Sequence, residues 1–412
     1  MLLYNIGILI YECGAAITSL WSSKAKMWRE GRHGLNSIIA TRMKPNERRV
    51  WIHAASLGEF EQGRPVIEQL KSCYPDIKIV LTFFSPSGYE IRKNYPNADY
   101  IFYLPTDRPN NIKEFLDAVS PEAAIFIKYE FWLGYIEALH ARGIPTYLIS
   151  AIFRRNSVFF KPWGGLWRKA LRKFRKIYVQ DVASLKLLTE LGVDSAVVAG
   201  DTRFDRVADI ARAAKKLPFV DHFKGDTPLF VAGSTWGHDE ELIVALANNH
   251  PDIKFIIAPH EINEVRIQRI INDAHGGVAR YTTMSKQDIS NAQILILDTI
   301  GMLSSVYRYA RWAYIGGGFG RGIHNTLEAA TFGLPIAFGP NYHKFKEACD
   351  MISVGSAQSI GSIAELEAWF NPISDCGDRW QRSSSAAHTY TNQNCGATAL
   401  IVEALGEHLA DR

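Results

Sequence analysis

The chain has 412 residues, 47% of them hydrophobic and 21% charged, with a net charge of +4. That length exceeds one ordinary core and implies two domains of about 200 residues each, and the composition excludes a disordered or fibrous chain. Cys13, Cys73, Cys349, Cys376 and Cys395 have no CxxC spacing and are odd in number, which argues against a disulfide framework or zinc site and favours a reducing compartment.

Residues 1–21 are largely apolar and lead directly into Lys24, Lys26, Arg29 and Arg32. There is no basic segment before the apolar run and no convincing cleavage site, so a removable signal peptide is not expected. As a spanning helix the segment is marginal. Its eight Leu and Ile residues each favour insertion by roughly 0.3–0.6 kcal/mol, whereas a central charge such as Glu12 costs roughly 2.5–3.5 kcal/mol. We read it as a membrane anchor, either spanning or lying in the interface, with a buried N-terminal helix as the alternative. A second basic run, Arg154 to Lys176, has nine Lys or Arg and no acidic residue. It is interleaved with Phe153, Phe159, Phe160, Trp163, Trp167 and Phe174, a combination that suits nucleic acid or an anionic membrane. The apolar N-terminus decides for the membrane and against nucleic acid.

Short apolar runs alternate with helical patterns along the whole chain, which predicts parallel sheets with crossover helices. The first half offers strands at 50–54, 78–83, 100–103, 123–127, 146–149, 176–179 and 196–199, and the second half at 229–232, 254–258, 294–297, 313–315 and 334–338. The polar, alanine-rich stretch from Asp209 to Pro228 is the expected boundary. The expected division is thus an anchor helix at 1–21, a first Rossmann-like domain at 22–215 and a second at 216–412. Two doubly wound domains facing across a cleft is the economical solution, with ligands outside the carboxyl ends of the strands.

The distinctive loops fall at those ends. The first strand runs into Ser56-Leu57-Gly58-Glu59, with Glu59 at a helix start, where it either complements the helix dipole or takes a proton from an attacking hydroxyl. The 123–127 strand leads into Lys128-Tyr129-Glu130-Phe131-Trp132, and 196–199 into Gly200-Asp201-Thr202-Arg203-Phe204-Asp205. In the second half the strands lead into Gly233-Ser234-Thr235-Trp236-Gly237-His238-Asp239-Glu240, Pro259-His260-Glu261 and Asp298-Thr299-Ile300-Gly301-Met302-Leu303. After 313–315 come Gly316, Gly317 and Gly318, then His324 and Asn325, where a helix is expected to begin, ending by Gly333 and Pro335. A helix start facing a glycine loop suits a phosphate, and Glu328 one turn inside suits the two hydroxyls of a ribose. Together they suggest a nucleotide-sugar site.

In this order and spacing, SLGEF, GDTRFD, GSTWGHDEE, APHE, DTIGML and GGGFGRGIHNTLEAATFGLP resemble bacterial 3-deoxy-D-manno-octulosonic acid (Kdo) transferases over about residues 51–340. The resemblance implies a GT-B α/β glycosyltransferase at the cytoplasmic face of the inner membrane. It implies CMP-Kdo as donor, the lipid A precursor as acceptor, anionic lipid at the membrane surface, and inverting transfer without a bound metal or other cofactor. Glu59 matches the family's general base, and Arg203 stands where relatives usually carry lysine. Pro259 and His260, Gly301, Met302 and Leu303, and Asn325, Thr326, Leu327 and Glu328 match the segments that hold CMP. Lys128 replaces the first glutamate of a glutamate-threonine-glutamate-leucine-tryptophan motif, so either Lys128 or Glu130 carries that loop's chemistry. The rival readings are a UDP-sugar transferase or UDP-N-acetylglucosamine epimerase of the same architecture, and a non-catalytic scaffold binding anionic lipid.

Overall fold

A computed structural model describes residues 1–410, the side chains of 286–288 excepted. The chain divides into two compact units, residues 1–205 with 395–412, and residues 206–394. Relative to the expected 22–215 and 216–412, the change of unit comes earlier and the end of the chain returns to the first unit. Asp205 accepts hydrogen bonds from the amides of Gly396 (2.6 Å) and Thr398 (2.8 Å) and from the Thr398 hydroxyl (2.7 Å). Behind that tie, Ile401, Val402, Leu405 and Leu409 of the helix Ala397–Ala410 join the first unit's core.

The first unit is built on β1 (Arg49–Ala54), β2 (Lys78–Phe83), β3 (Tyr100–Tyr103), β4 (Ala123–Ile127), β5 (Thr146–Ala151), β6 (Lys176–Val179) and β7 (Ala196–Val198). The second is built on β8 (Leu229–Thr235), β9 (Lys254–Pro259), β10 (Val278–Arg280), β11 (Ile294–Ile296), β12 (Trp312–Ile315), β13 (Ile336–Phe338) and β14 (Ala357–Ser359). Among the described residues each set forms one parallel sheet, ordered β3-β2-β1-β4-β5-β6-β7 and β10-β11-β9-β8-β12-β13-β14. Helices cover both faces, so β1, β4, β12 and β13 are buried along their whole length, which is why β4, β12 and β13 read as unbroken apolar runs. The first sheet's order reverses between β1 and β4 and the second's between β8 and β12, with β11 inserted between β9 and β10 towards the second sheet's edge.

The N-terminal helix Leu2–Thr18 lies against the first unit. The Tyr4 hydroxyl donates to Asp107 (2.6 Å), Glu12 accepts from the Thr106 hydroxyl and pairs with Arg108 (3.2 Å), and Tyr11 packs edge-on to Trp28 (5.6 Å between ring centres). Among the described residues no helix is long and apolar enough to cross a membrane, which corrects the spanning alternative. Glu12, the charge that made spanning marginal, is held by the body of the unit. The helix is not buried either, because Leu2, Leu3, Ile6, Leu9, Ile10 and Ile17 are exposed.

The basic aromatic run needs a second correction. Phe153, Phe159 and Phe174 are core residues, with Phe159 packed on Phe131 (4.8 Å) and Phe153 (5.3 Å). Trp163 alone among the run's buried-or-exposed extremes stands out, 70% exposed. The segment is amphipathic, its rings inward and most of its cations outward.

Replacing Asp205 by Ala removes a charged acceptor of three hydrogen bonds. It is expected to lower the unfolding free energy by about 1.5–3 kcal/mol, measured by urea denaturation.

Candidate active site

At the reversal in the first sheet, the chain leaves β1 towards β2 and leaves β4 towards β5, so the two connecting loops part and open a crevice. The residues expected to be catalytic lie at this carboxyl edge. Glu59 is in the first turn of the helix Leu57–Cys73, and its carboxylate accepts a hydrogen bond from the Ser56 hydroxyl, which orients it. Lys128 follows β4 in the left-handed region (φ 65°), its amide bonded to the Ile149 carbonyl (2.9 Å) and its ammonium over the Tyr129 ring (5.4 Å). Tyr129 is half exposed and within electrostatic reach of Arg154, Glu59 and Asp181. Its phenol is pushed up chiefly by burial, against Arg154. Arg203 is paired with Asp201 (2.7 Å), and neighbouring Thr202 donates its hydroxyl to the Gln62 carbonyl on the Glu59 helix. Glu59, Lys128 and Arg203 therefore share one edge of one sheet.

In the second unit the reversal lies between β8 and β12, and the loops after them are locked together. Gly316 runs so close to β8 that a Cβ there would stand 2.3 Å from the Ser234 carbonyl oxygen. Buried Asp239 accepts from the Gly317 amide (2.9 Å), the Tyr314 hydroxyl (2.7 Å) and the Trp236 amide (2.9 Å). Burial holds the Asp239 carboxyl above its usual range, against those three bonds.

The expected nucleotide-binding residues gather around this clamp. Pro259 ends β9, and the His260 amide donates to the Thr235 carbonyl (3.0 Å). The His260 ring stacks on both Trp236 (5.0 Å) and His324 (4.2 Å), which are joined to each other by Trp236 Nε1 donating to His324 Nε2 (3.2 Å). Gly301 turns with φ 96°, and Met302 caps the short helix Leu303–Val306. Leu303 and the Tyr307 hydroxyl crowd Gly233, and Tyr307 is also within reach of the Glu328 charge. Asn325 accepts from the Leu327 amide (3.1 Å) and donates to Glu328 (3.0 Å), while Thr326 beside them is buried.

The helix expected from His324 or Asn325 begins later, and Leu327–Ala330 is a single turn. The reason is that Asn325 spends its side chain on the Leu327 amide instead of entering the helix. One turn sums few peptide dipoles, so the loop has little of the positive end that was expected of it. Its close backbone and the Asn325–Glu328 pair remain.

The family model for "3-Deoxy-D-manno-octulosonic-acid transferase (kdotransferase)" matches residues 28–206. The 3-deoxy-D-manno-octulosonic acid transferase of Haemophilus influenzae is 25% identical over 89% of this chain and 88% of its own length. That of Bordetella pertussis is 28% identical over 87% of both chains, and that of Rickettsia felis 31% identical over 72% of this chain and 64% of its own. The chain belongs to the Kdo transferase family. It is a glycosyltransferase.

Among solved structures, the enzyme is similar to the UDP-GlcNAc 2-epimerase of Neisseria meningitidis bound to UDP-GlcNAc, with a TM-score of 0.62 and 15% identity over 87% of this chain and all of that one. It is similar also to Acinetobacter baumannii MurG, with a TM-score of 0.52 and 14% identity over 87% of this chain and 99% of that one. At these identities the likeness is one of fold, and the fold is GT-B, as expected.

Sequence reasoning did not find His53 and Thr82, which sit inside apolar strand runs, nor the stacking of Trp236, His260 and His324. The loops that carry these rings were visible, but their pairing across the chain was not.

Burial, and then His260, push His324 down to about 4 from 6.5. Its ring is therefore neutral at neutral pH, with Nε2 accepting from Trp236. The native protein binds fewer protons here than the unfolded chain between about pH 4 and 6.5, so this ring's contribution to stability falls as pH drops through that window. Proton NMR titration is expected to give His324 a midpoint near pH 4, and Trp236→Phe, which removes the Nε1–H donor, is expected to raise it.

Proposed function

We propose that the enzyme transfers Kdo from CMP-Kdo to a hydroxyl of the lipid A precursor, with inversion, in lipopolysaccharide biosynthesis. The observation that carries this reading is Glu59. In a chain of the Kdo transferase family, it is a carboxylate oriented by Ser56 at the strand-order reversal of its sheet. Glu59 takes the proton of the acceptor hydroxyl as its oxygen bonds to the anomeric carbon of Kdo. The bond from that carbon to the phosphate oxygen breaks on the opposite face, and CMP leaves as an anion. A leaving group that is already an anion needs cations and N–H donors more than a general acid, and Lys128 and Arg203 supply positive charge on the same edge. Asn325 to Glu328, with Pro259, His260 and the 301–303 turn, hold CMP, and Glu328 accepts from the ribose hydroxyls.

We further propose that the enzyme sits on the cytoplasmic face of the inner membrane without spanning it. The exposed face of Leu2–Thr18, followed by exposed Leu20 and Trp21 and then Lys24, Lys26 and Arg29, has the make-up of an interfacial helix on anionic lipid. At its other end, Met1 lines a cavity of about 200 Å³ together with Lys169 and Lys173 of the basic run. Beside the helix, a cavity of about 960 Å³ is lined in part by Lys26, Arg29 and His33, and it shares no residue with the loops described above.

The reading is tested by incubating purified enzyme with lipid A precursor and CMP-Kdo generated in situ, followed by mass spectrometry. An increase of one or more Kdo units is expected, and an unchanged mass with CMP still bound would point to another acceptor. Glu59→Ala is expected to abolish transfer while leaving CMP binding intact, and substantial residual turnover would rule out its role as base. Glu328→Ala is expected to weaken CMP binding by about 10- to 150-fold, the worth of a charged hydrogen-bond acceptor. An unchanged dissociation constant by calorimetry would remove the ribose assignment.

A further inference from the structure

The β1 and β4 edge carries a second carboxylate, Glu130, and the structure holds it by a buried chain of hydrogen bonds. Trp51 Nε1 donates to Thr82 Oγ1 (2.8 Å), Thr82 Oγ1 lies 2.9 Å from His53 Nδ1, and His53 Nε2 lies 3.1 Å from Glu130 Oε2. Trp132 Nε1 lies 2.7 Å from the same carboxylate oxygen and 3.1 Å from His53 Nε2, and its single proton goes to the nearer, charged acceptor. Trp51, His53 and Thr82 are fully buried.

The chemistry of the groups sets the direction of the chain. An indole N–H only donates, so Trp51 occupies a lone pair of Thr82 Oγ1. Among the described residues the Thr82 hydroxyl proton has no acceptor other than His53 Nδ1. The His53 proton is then on Nε2, aimed at Glu130. Trp51 is itself wedged among Phe115 (4.9 Å), Phe126 (5.2 Å) and Tyr135 (5.3 Å), which fixes the far end of the chain.

Glu130 thus has one oxygen held by two N–H donors. Among the described residues its Oε1 accepts no hydrogen bond, yet that atom is not sealed from solvent. Its neighbour Tyr129 is in electrostatic reach of Glu59. Lys128, where relatives' motif has its first glutamate, brings a cation, which leaves Glu130 as the carboxylate of this loop. We propose that Glu130 is its substrate-facing carboxylate, accepting a hydrogen bond from an acceptor hydroxyl near Glu59, and that buried His53 is its positioning residue. This rests on the proposed function's assignment of the edge to the acceptor.

Steady-state transfer by the full-length enzyme tests it. Glu130→Gln is expected to lower kcat by about 10- to 150-fold, the worth of a charged hydrogen bond. His53→Leu is expected to lower kcat over the same range with the donor KM unchanged, and His53→Gln, which keeps an N–H at the Nε2 position, to recover most of it. In the double variant of His53→Leu with Glu130→Gln, the loss is expected to equal that of Glu130→Gln alone. Additive losses in the double variant, or a wild-type kcat for His53→Leu, would overturn the proposal.

If His53→Leu does not fold by circular dichroism, Thr82→Val, which removes only the hydroxyl, carries the same double-variant comparison. If the wild-type enzyme transfers no Kdo, the proposed function fails, and nitrogen-15 NMR still reads the tie. The expected result is a protected Nε2 proton on His53 that is lost in Glu130→Ala, and a proton on Nδ1 instead would overturn the positioning role.

Discussion

The reversal of strand order at the middle of each sheet, between β1 and β4 and between β8 and β12, is the constraint on which the rest depends. Right-handed crossovers carry the chain to one side from β1 and to the other from β4, so no connection covers the gap between their carboxyl ends. The same happens between β8 and β12. The side chains proposed for chemistry are therefore carried on the loops beside two gaps that the topology itself opens. Glu59 and Lys128 flank one of them, and the Trp236 and Gly316–Gly318 loops flank the other.

Holding such loops in place costs backbone strain, and the strain is found where it would be needed. Lys128, Ser150 and Ser234 are non-glycine residues with positive φ, and all three lie at or near the carboxyl ends of strands. Ser150 and Ser234 lie where the pairing register shifts, between β5 and β6 and between β8 and β9. Such residues each cost of order 1–3 kcal/mol and persist only where the surroundings over-determine them. Here the surroundings are the largely buried strands on either side.

Much of the fold was legible because a parallel sheet covered on both faces writes its strands as apolar runs. Those at 78–83, 100–103, 123–127 and 176–179 have the expected bounds. Val278–Arg280 and Ala357–Ser359 escaped notice because they are three-residue edge strands with polar residues among them. The loops of the site were legible from their positions after strands. The residues that hold them were not, because His53 and Thr82 are adjacent only across a strand pair and Asp239 meets Gly317 from far along the chain. The sequence leaves the N-terminal helix open between spanning and interfacial for a related reason: hydropathy weighs Glu12 as a cost, and only the fold reveals Thr106 and Arg108 as its partners.

The Asp239 clamp has a thermodynamic consequence for whatever settles on the loops it joins. Two loops already bonded to one buried carboxylate have little conformational entropy left to lose. A ligand meeting them is not charged for ordering the backbone it touches, so small groups can be held with useful affinity by few contacts. The same rigidity makes the surface unforgiving, because it cannot reshape itself around a ligand of a different outline. Selectivity for such a ligand would then come from shape refused as much as from hydrogen bonds made.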